Sequence, residues 1–317
     1  MQTYKLLTGA EIPLMGLGTW KAPDDEVYSA IREAINIGYR HFDCSPIYGN
    51  EAAIGKAFTD AFKANDVKRE EIWVTSKVWN THHHPNDVEE AIAKTLTDLQ
   101  LEYLDLYLIH WPIAQQKIAP TDGGSKYIPI KEMPLIDTWN AVRKVRDNGL
   151  AKNIGVANFS IKELDNIIDK SGETPAVNQI ELHPYLQHNK MKAYCDEKGI
   201  CITAYCPLGN GDKRNTPGFE NKPQLFGDEV LLNIAKNNDA TPAQVMLKWA
   251  LQRNINIIPK STNVSRLKEN FNAQRIGLTE SEMEEISAIE KGYRTIDGHG
   301  WCKGDSPYTV EYLWGEY

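Results

Sequence analysis

No stretch of this chain is apolar for long enough to cross a bilayer. The most apolar run, Leu104 to Ala114, contains Asp105 and His110, whereas a spanning helix needs about 20 apolar residues. The opening residues, Met1 to Gly9, show no basic segment followed by an apolar core. No secretory signal is therefore expected, and the chain reads as cytoplasmic. Cysteines are five, an odd number (Cys44, Cys195, Cys201, Cys206, Cys302), with no paired spacing of metal ligands. This pattern points to reduced thiols rather than a disulfide frame or zinc site. Positive charge is in the minority, 35 Lys and Arg against 43 Asp and Glu, leaving a net −8. Nucleic acid and anionic membrane are thus poor candidates for the main partner.

Other absences narrow the chemistry. There is no Gly-x-Ser-x-Gly elbow, which removes the usual serine hydrolase signature. In Gly16-Leu17-Gly18-Thr19-Trp20-Lys21, Lys21 stands where a dinucleotide fingerprint has its third glycine, so a Rossmann turn is not supported. His82-His83-His84 suggests a metal, but adjacent side chains diverge and Pro85 follows; a solvated turn before a helix is expected, and no metal. Repeats, low-complexity segments and interdomain linkers are missing, so residues 1–317 read as one domain.

What the chain does have is an alternation of strand and helix signals. Lys5–Leu7 and Glu11–Pro13 flank Thr8-Gly9-Ala10, which predicts a hairpin before the main body. Strand signals follow at Met15–Gly18, Arg40–Asp43, Ile72–Lys77, Leu104–His110, Asn153–Val156, Ala176–Glu181, Cys201–Tyr205 and Asn256–Pro259. Helical periodicity lies between them. From Asp24 to Ile37, Val27, Ala30, Ile31, Ala34 and Ile35 share a face before Gly38. Further helices are expected over Glu51–Ala64, from Pro85 through Leu99, and over Leu135–Asp147, Lys162–Lys170, Asn189–Lys198 and Pro242–Arg253. A long loop is expected between His110 and Pro134. Alternating β and α elements force a mostly parallel sheet, and eight such units fit closure into a barrel.

Four side chains carry the chemistry: Asp43, Tyr48, Lys77 and His110. Each lies at or just beyond the end of successive strand signals. In a parallel β/α barrel those ends share one rim, so the four would meet. A free phenol titrates near pH 10, and a neighbouring ammonium stabilises its phenolate. Lys77 would supply that charge, and Asp43 would hold the lysine. Tyr48 would then protonate a carbonyl oxygen oriented by His110 while a hydride reaches the carbon. Trp20, Trp79 and Trp111 each follow a strand end and are expected to wall the pocket.

The segments Gly38-Tyr39-Arg40-His41-Phe42-Asp43-Cys44-Ser45-Pro46-Ile47-Tyr48-Gly49-Asn50-Glu51, Leu108-Ile109-His110-Trp111-Pro112 and Ile258-Pro259-Lys260-Ser261 resemble the aldo-keto reductase superfamily. The aldose and aldehyde reductase group is the nearest in pattern, and the likeness runs collinearly from Gly16 to Asn270. It implies a (β/α)8 TIM barrel with an N-terminal β-hairpin and a C-terminal substrate loop, binding NADPH in extended form. Thr19, Trp20, Lys21 and Asp43 would lie along the cofactor. Asn158 and Gln179 match ligands of the nicotinamide carboxamide, and Ala157 stands where the family usually has serine. Tyr205 matches the aromatic stacked on the nicotinamide ring. Cys206, standing where serine is common, precedes Pro207, Leu208 and Asn210 along the phosphate-binding segment. Asp212 resembles the acid that pairs with Lys21 and Lys260 to close a loop over the pyrophosphate.

Lys260, Ser261, Thr262 and Arg266 would surround a 2′-phosphate, a setting in which a planar guanidinium makes paired charge-assisted bonds. Glu269 and Asn270 resemble adenine ligands. The segment from Gly292 to Tyr317, with Tyr293, Trp301, Tyr308, Tyr312 and Trp314, resembles the variable loop that completes the pocket. Ile47 and Trp301 join Trp20, Tyr48, Trp79, His110 and Trp111 as expected substrate contacts. The resulting reading is an NADPH-dependent reductase of aldehydes, with open-chain aldoses as candidates, acting as a monomer or weak homodimer on small carbonyl compounds. Its rivals are a metal-dependent barrel hydrolase using His41, Asp43, His110 and His183, and a cofactor-binding relative without catalysis.

Overall fold

The computed structural model describes residues 2–118, 125–209 and 222–315. The chain opens with a hairpin of β1 (Thr3–Lys5) and β2 (Glu11–Pro13), in which Tyr4 pairs with Ile12. Its first strand ends two residues earlier than the sequence pattern predicts. Residues 6–10 instead form the turn, closed by Leu6 N–H to Ala10 O at 2.8 Å. Ile12 is fully buried and packs with Leu6, Trp73, Leu106 and Leu108. The hairpin therefore stoppers the N-terminal end of the main sheet.

That sheet has eight parallel strands in sequential order. They are β3 (Leu17–Gly18), β4 (His41–Asp43), β5 (Trp73–Val78), β6 (Leu104–Ile109), β7 (Ala151–Ala157), β8 (Val177–Glu181), β9 (Cys201–Tyr205) and β10 (Asn256–Ile257). The first and last are joined by parallel bridges, Met15 with Ile257 and Gly18 with Lys260. The barrel closes there. The two glycines that mimic a dinucleotide fingerprint belong to this seam: a Cβ on Gly16 would lie 2.8 Å from His41 Nδ1, and one on Gly18 would lie 2.8 Å from Ile258 O. A real Cβ tolerates neither, so glycine is required by strand closure and not by a ligand.

Helices α1 (Asp24–Ile37), α2 (Glu51–Lys63), α3 (Pro85–Leu99), α4 (Leu135–Asp147), α5 (Ile161–Ser171) and α6 (Asn189–Lys198) cross between strands. Each buries one apolar stripe. In α1 the stripe is Val27, Ala30, Ile31, Ala34 and Ile35, as the periodicity predicts. After β9 come α7 (Glu229–Asn237) and α8 (Pro242–Gln252). The sequence pattern does not predict α7, which is short and follows the undescribed residues 210–221. In α8, Thr241 and Gln244 form a reciprocal capping box with Pro242 at the first helical position. Beyond β10 lie α9 (Val264–Asn272), α10 (Glu280–Ala288) and α11 (Val310–Trp314). Among the described residues no helix is long and apolar enough to cross a membrane.

One expectation needs correcting. The triple-histidine turn is not solvated throughout, since His83 is buried at 1% exposure and only His84 serves as the cap of α3, accepting from Asn86 N–H. Burial pulls the His83 imidazole down to about 3. The segment from His110 to Pro134 is a loop, as expected, with no helix or strand among its described residues. Gln115 bridges Tyr127, and Tyr127 is buried against Tyr308.

Candidate active site

Strand register brings the four residues together. Asp43 ends β4 and pairs with Thr75 of β5, so Lys77 stands two residues further on and on the same side. His110 is the first residue after β6. Tyr48 sits in a single helical turn, Pro46–Tyr48, that follows β4 and is closed by Gly49 at φ 75°. Lys77 is fully buried. Its Nζ lies 2.7 Å from Asp43 Oδ1, 2.8 Å from Cys44 O and 3.4 Å from Tyr48 OH. The other Asp43 oxygen accepts from Gln179 Nε2 at 2.8 Å, while the backbone oxygen of Asp43 accepts from Thr19 Oγ1. Both carboxylate oxygens are thus held, and the ammonium has one fixed position beneath the phenol.

His110 meets Tyr48 edge-on, with ring centroids 5.9 Å apart, and Trp79 at 4.9 Å. Burial, then Lys77 and His83, hold the His110 imidazole well below its usual range, so it is neutral at physiological pH. Ser45 Oγ lies 3.1 Å from His110 Nδ1. With the hydroxyl donating, Nε2 carries the ring proton. Burial first, and then the Asp43 carboxylate, push the Tyr48 phenol well above 10. This differs from the expectation of a phenol made more acidic at rest. Asp43 offsets the field of Lys77, so the ammonium 3.4 Å away acts on phenolate as it forms rather than ionising the resting residue.

Sequence reasoning missed Ser45, Glu51 and Glu181. Ser45 and Glu51 are inside the quoted motif, but their contacts are tertiary. Glu51 accepts from Ser76 and Thr95, and burial pushes its carboxyl up to about 7. Glu181, at the end of β8, accepts from His183 Nε2, from Thr295 N and Oγ1, and from Ile296 N. Burial alone would raise its carboxyl, yet these bonds hold it below the usual range.

Above this floor the remaining expected residues follow the rim. Asn158, at φ 62°, donates to His110 O and accepts from Tyr205 OH at 2.7 Å. Asn50 Nδ2 ties down Thr19 O and Ala22 O, which frames the Trp20–Lys21 turn, and Lys21 Nζ lies 4.2 Å over the Trp20 ring. Cys206 (φ 47°), Pro207 and Leu208 lead directly out of β9. Asn210 and Asp212 lie outside the described residues.

Lys260 flanks the closing seam, and Ser261 and Asn263 cap the start of α9. Arg266 is exposed in its first turn, Thr262 donates to Glu26, and Asn270 is buried. Glu269 accepts from Thr241 Oγ1 at 2.6 Å. Two cations and the Ser261 hydroxyl at a nine-residue helix's N-terminus form a donor set suited to a phosphate, with the Thr262 hydroxyl turned to Glu26.

The tryptophans form one aromatic wall. Trp20 lies 6.5 Å from Tyr48, and Trp301 lies 5.8 Å from Trp79 and 5.7 Å from Trp111. Trp314 and Tyr308 complete this cluster from below. Trp20 and Ile47 are exposed, at 42% and 49%, facing the mouth. The histidines of the rival metal site are engaged apart: His41 with Thr75 and Pro13, His183 with Glu181. Among the described residues, no group of three or more His, Cys, Asp or Glu is placed to hold a metal ion.

Comparison with known proteins agrees with this geometry. A profile of the Aldo/keto reductase family matches residues 14–291. An aldo/keto reductase of Synechocystis sp. is 45% identical over all of this chain and 97% of its own length. Aldo-keto reductase family 1 member A1 of Rattus norvegicus is 42% identical, covering 92% of each chain. The structure of the aldose reductase from Schistosoma japonicum superposes with a TM-score of 0.85 at 38% identity, over 94% of this chain and 95% of that one.

Proposed function

The chain belongs to the aldo/keto reductase family, an oxidoreductase acting on small carbonyl compounds, and from that premise we propose that it reduces aldehydes to alcohols with NADPH, with Tyr48 as proton donor. The observation that carries the reading is the buried Lys77 ammonium held between Asp43 Oδ1 and the Tyr48 hydroxyl. When bound, the reduced nicotinamide supplies the hydride. The carbonyl oxygen accepts one hydrogen bond from Tyr48 OH and one from neutral His110 Nε2–H. As negative charge gathers on that oxygen, the phenolic proton crosses to it. Lys77 stabilises the phenolate left behind, and Asp43, Cys44 O and Gln179 keep that ammonium from moving.

Tyr205, Asn158 and Gln179 support nicotinamide binding. An amide nitrogen has two hydrogens, and the bonds of Asn158 and Gln179 use one each, leaving a donor for the carboxamide. Lys260, Ser261, Thr262 and Arg266 would hold the 2′-phosphate, with Glu269 and Asn270 towards the adenine. Trp20, Ile47, Trp79, Trp111 and Trp301 exclude water and bind apolar substrate parts, which favours aromatic and medium-chain aldehydes over aldoses. The reading extends to a single domain, a monomer or weak homodimer, and the cytoplasm.

The test is absorbance loss of NADPH with an aromatic aldehyde. Tyr48→Phe keeps the ring and removes the proton, so turnover falls by about 10²–10⁴-fold with NADPH affinity nearly unchanged. Near-normal turnover by folded Tyr48→Phe would exclude it as the donor.

A further inference from the structure

Thr262 has one hydroxyl proton, and it is already committed. Thr262 Oγ1 donates to Glu26 Oε2 at 2.8 Å, an exposed contact between the first turn of α1 and the residue preceding the cap of α9. The two helices pack side by side and both begin at the same rim of the barrel. Asp24 and Asp25 share that first turn with Glu26. Of these, Glu26 is the carboxylate bonded to the segment that otherwise presents Lys260, Ser261 and Arg266.

We infer that Glu26 is a specificity-determining residue that weakens the preference for a 2′-phosphorylated dinucleotide and lets the chain accept NADH as well. This inference rests on the reading of residues 260–266 as the cradle of the cofactor's 2′ position. A carboxylate only accepts hydrogen bonds, and a phosphate dianion likewise. The two compete for the single Thr262 proton, and as like charges they repel. A ribose 2′-hydroxyl meets neither obstacle, because it can donate directly to the carboxylate. Glu26 therefore opposes NADPH and favours NADH, against the pull of Lys260 and Arg266.

Glu26→Gln removes the charge, while the amide retains an acceptor for Thr262 and gains a donor for phosphate. Dissociation constants for NADPH and NADH are measured on the whole protein by quenching of tryptophan fluorescence. The ratio of the NADH to the NADPH constant should rise by about three- to tenfold, through tighter NADPH and weaker or unchanged NADH. The gain should shrink in 1 M salt, where the screening length is about 3 Å. An unchanged ratio in Glu26→Gln, with Arg266→Met still weakening NADPH selectively, overturns the role of Glu26 and leaves the cradle standing. Absence of NADPH binding by the unaltered protein, or an Arg266→Met variant that binds both cofactors as before, overturns the cradle and this inference with it.

Discussion

Asp43, Lys77 and His110 stand on strands of the parallel sheet or directly after them, whereas Trp301, Tyr308 and Trp314 come from a segment that contains no strand. In the first group short polar bonds set the positions, such as Asp43 to both Lys77 and Gln179 and Ser45 to His110 Nδ1. In the second, position comes from ring against ring, from the Tyr308 and Tyr312 hydroxyls bonded to the backbone of the loop after β6, and from a graft onto the barrel where Glu181 grips Thr295 and Ile296. The floor can therefore govern the chemical step with little freedom to vary. The wall can change its shape without disturbing proton transfer. Floor substitutions should act on kcat and wall substitutions on KM.

The strongest challenge to that division is Lys77→Met. Turnover should fall by at least about 10²-fold, because the departing proton leaves an uncompensated phenolate. Asp43→Asn should cost less, as the ammonium survives in a looser position. A fully active Lys77→Met would make Lys77 structural and dissolve the distinction. Trp301→Ala probes the other side. It should raise KM for aromatic aldehydes by about 10-fold, the equivalent of roughly 1.4 kcal/mol of lost apolar contact, with kcat within about twofold. A collapse of kcat would mean that the wall reaches into the chemistry.

The graft between the regions has its own signature. Glu181→Gln removes the charge that four donors share, so stability should drop by about 1–3 kcal/mol. Denaturant unfolding measures it, and faster proteolysis near Thr295 would locate it. The smallest effect concerns acid. His83 is held neutral in the fold at about 3 against 6.5 when unfolded, so the unfolded chain binds the extra proton as pH falls. The contribution to stability is complete above pH 6.5 and is lost on the way down to about 3. His83→Gln should therefore lessen the stability lost between about pH 7 and 5.5 by about 1 kcal/mol. An unaltered slope would leave that acid loss to His41, His110 and His188.

The floor was legible in the sequence because period and position are local signals. Alternation located the strands, and Asp43, Lys77 and His110 were readable as strand ends before any contact was known. Helices α1, α4 and α6 matched their expected limits for the same reason, with apolar spacing and Gly38 or Gly199 marking the ends. The missed residues lack such a signal. Ser45 matters through a nitrogen 65 positions away, and Glu181 through a backbone 114 positions away. His83 reads as polar beside two other histidines, yet packing buries it. The resting state of Tyr48 was likewise hidden, because it depends on how far burial and Asp43 outweigh Lys77.

The hairpin of β1 and β2 gives the molecule a handle. Ile12 is plugged into the closed end of the barrel, while Trp20, Ile47 and the aromatic wall crowd the opposite opening. A tether fixed to the hairpin would hold the protein on a bead or electrode with its opening towards the liquid. The same tether fixed near Trp301 would press that opening against the support. Immobilised preparations of equal protein content should therefore differ in throughput according to which end is held.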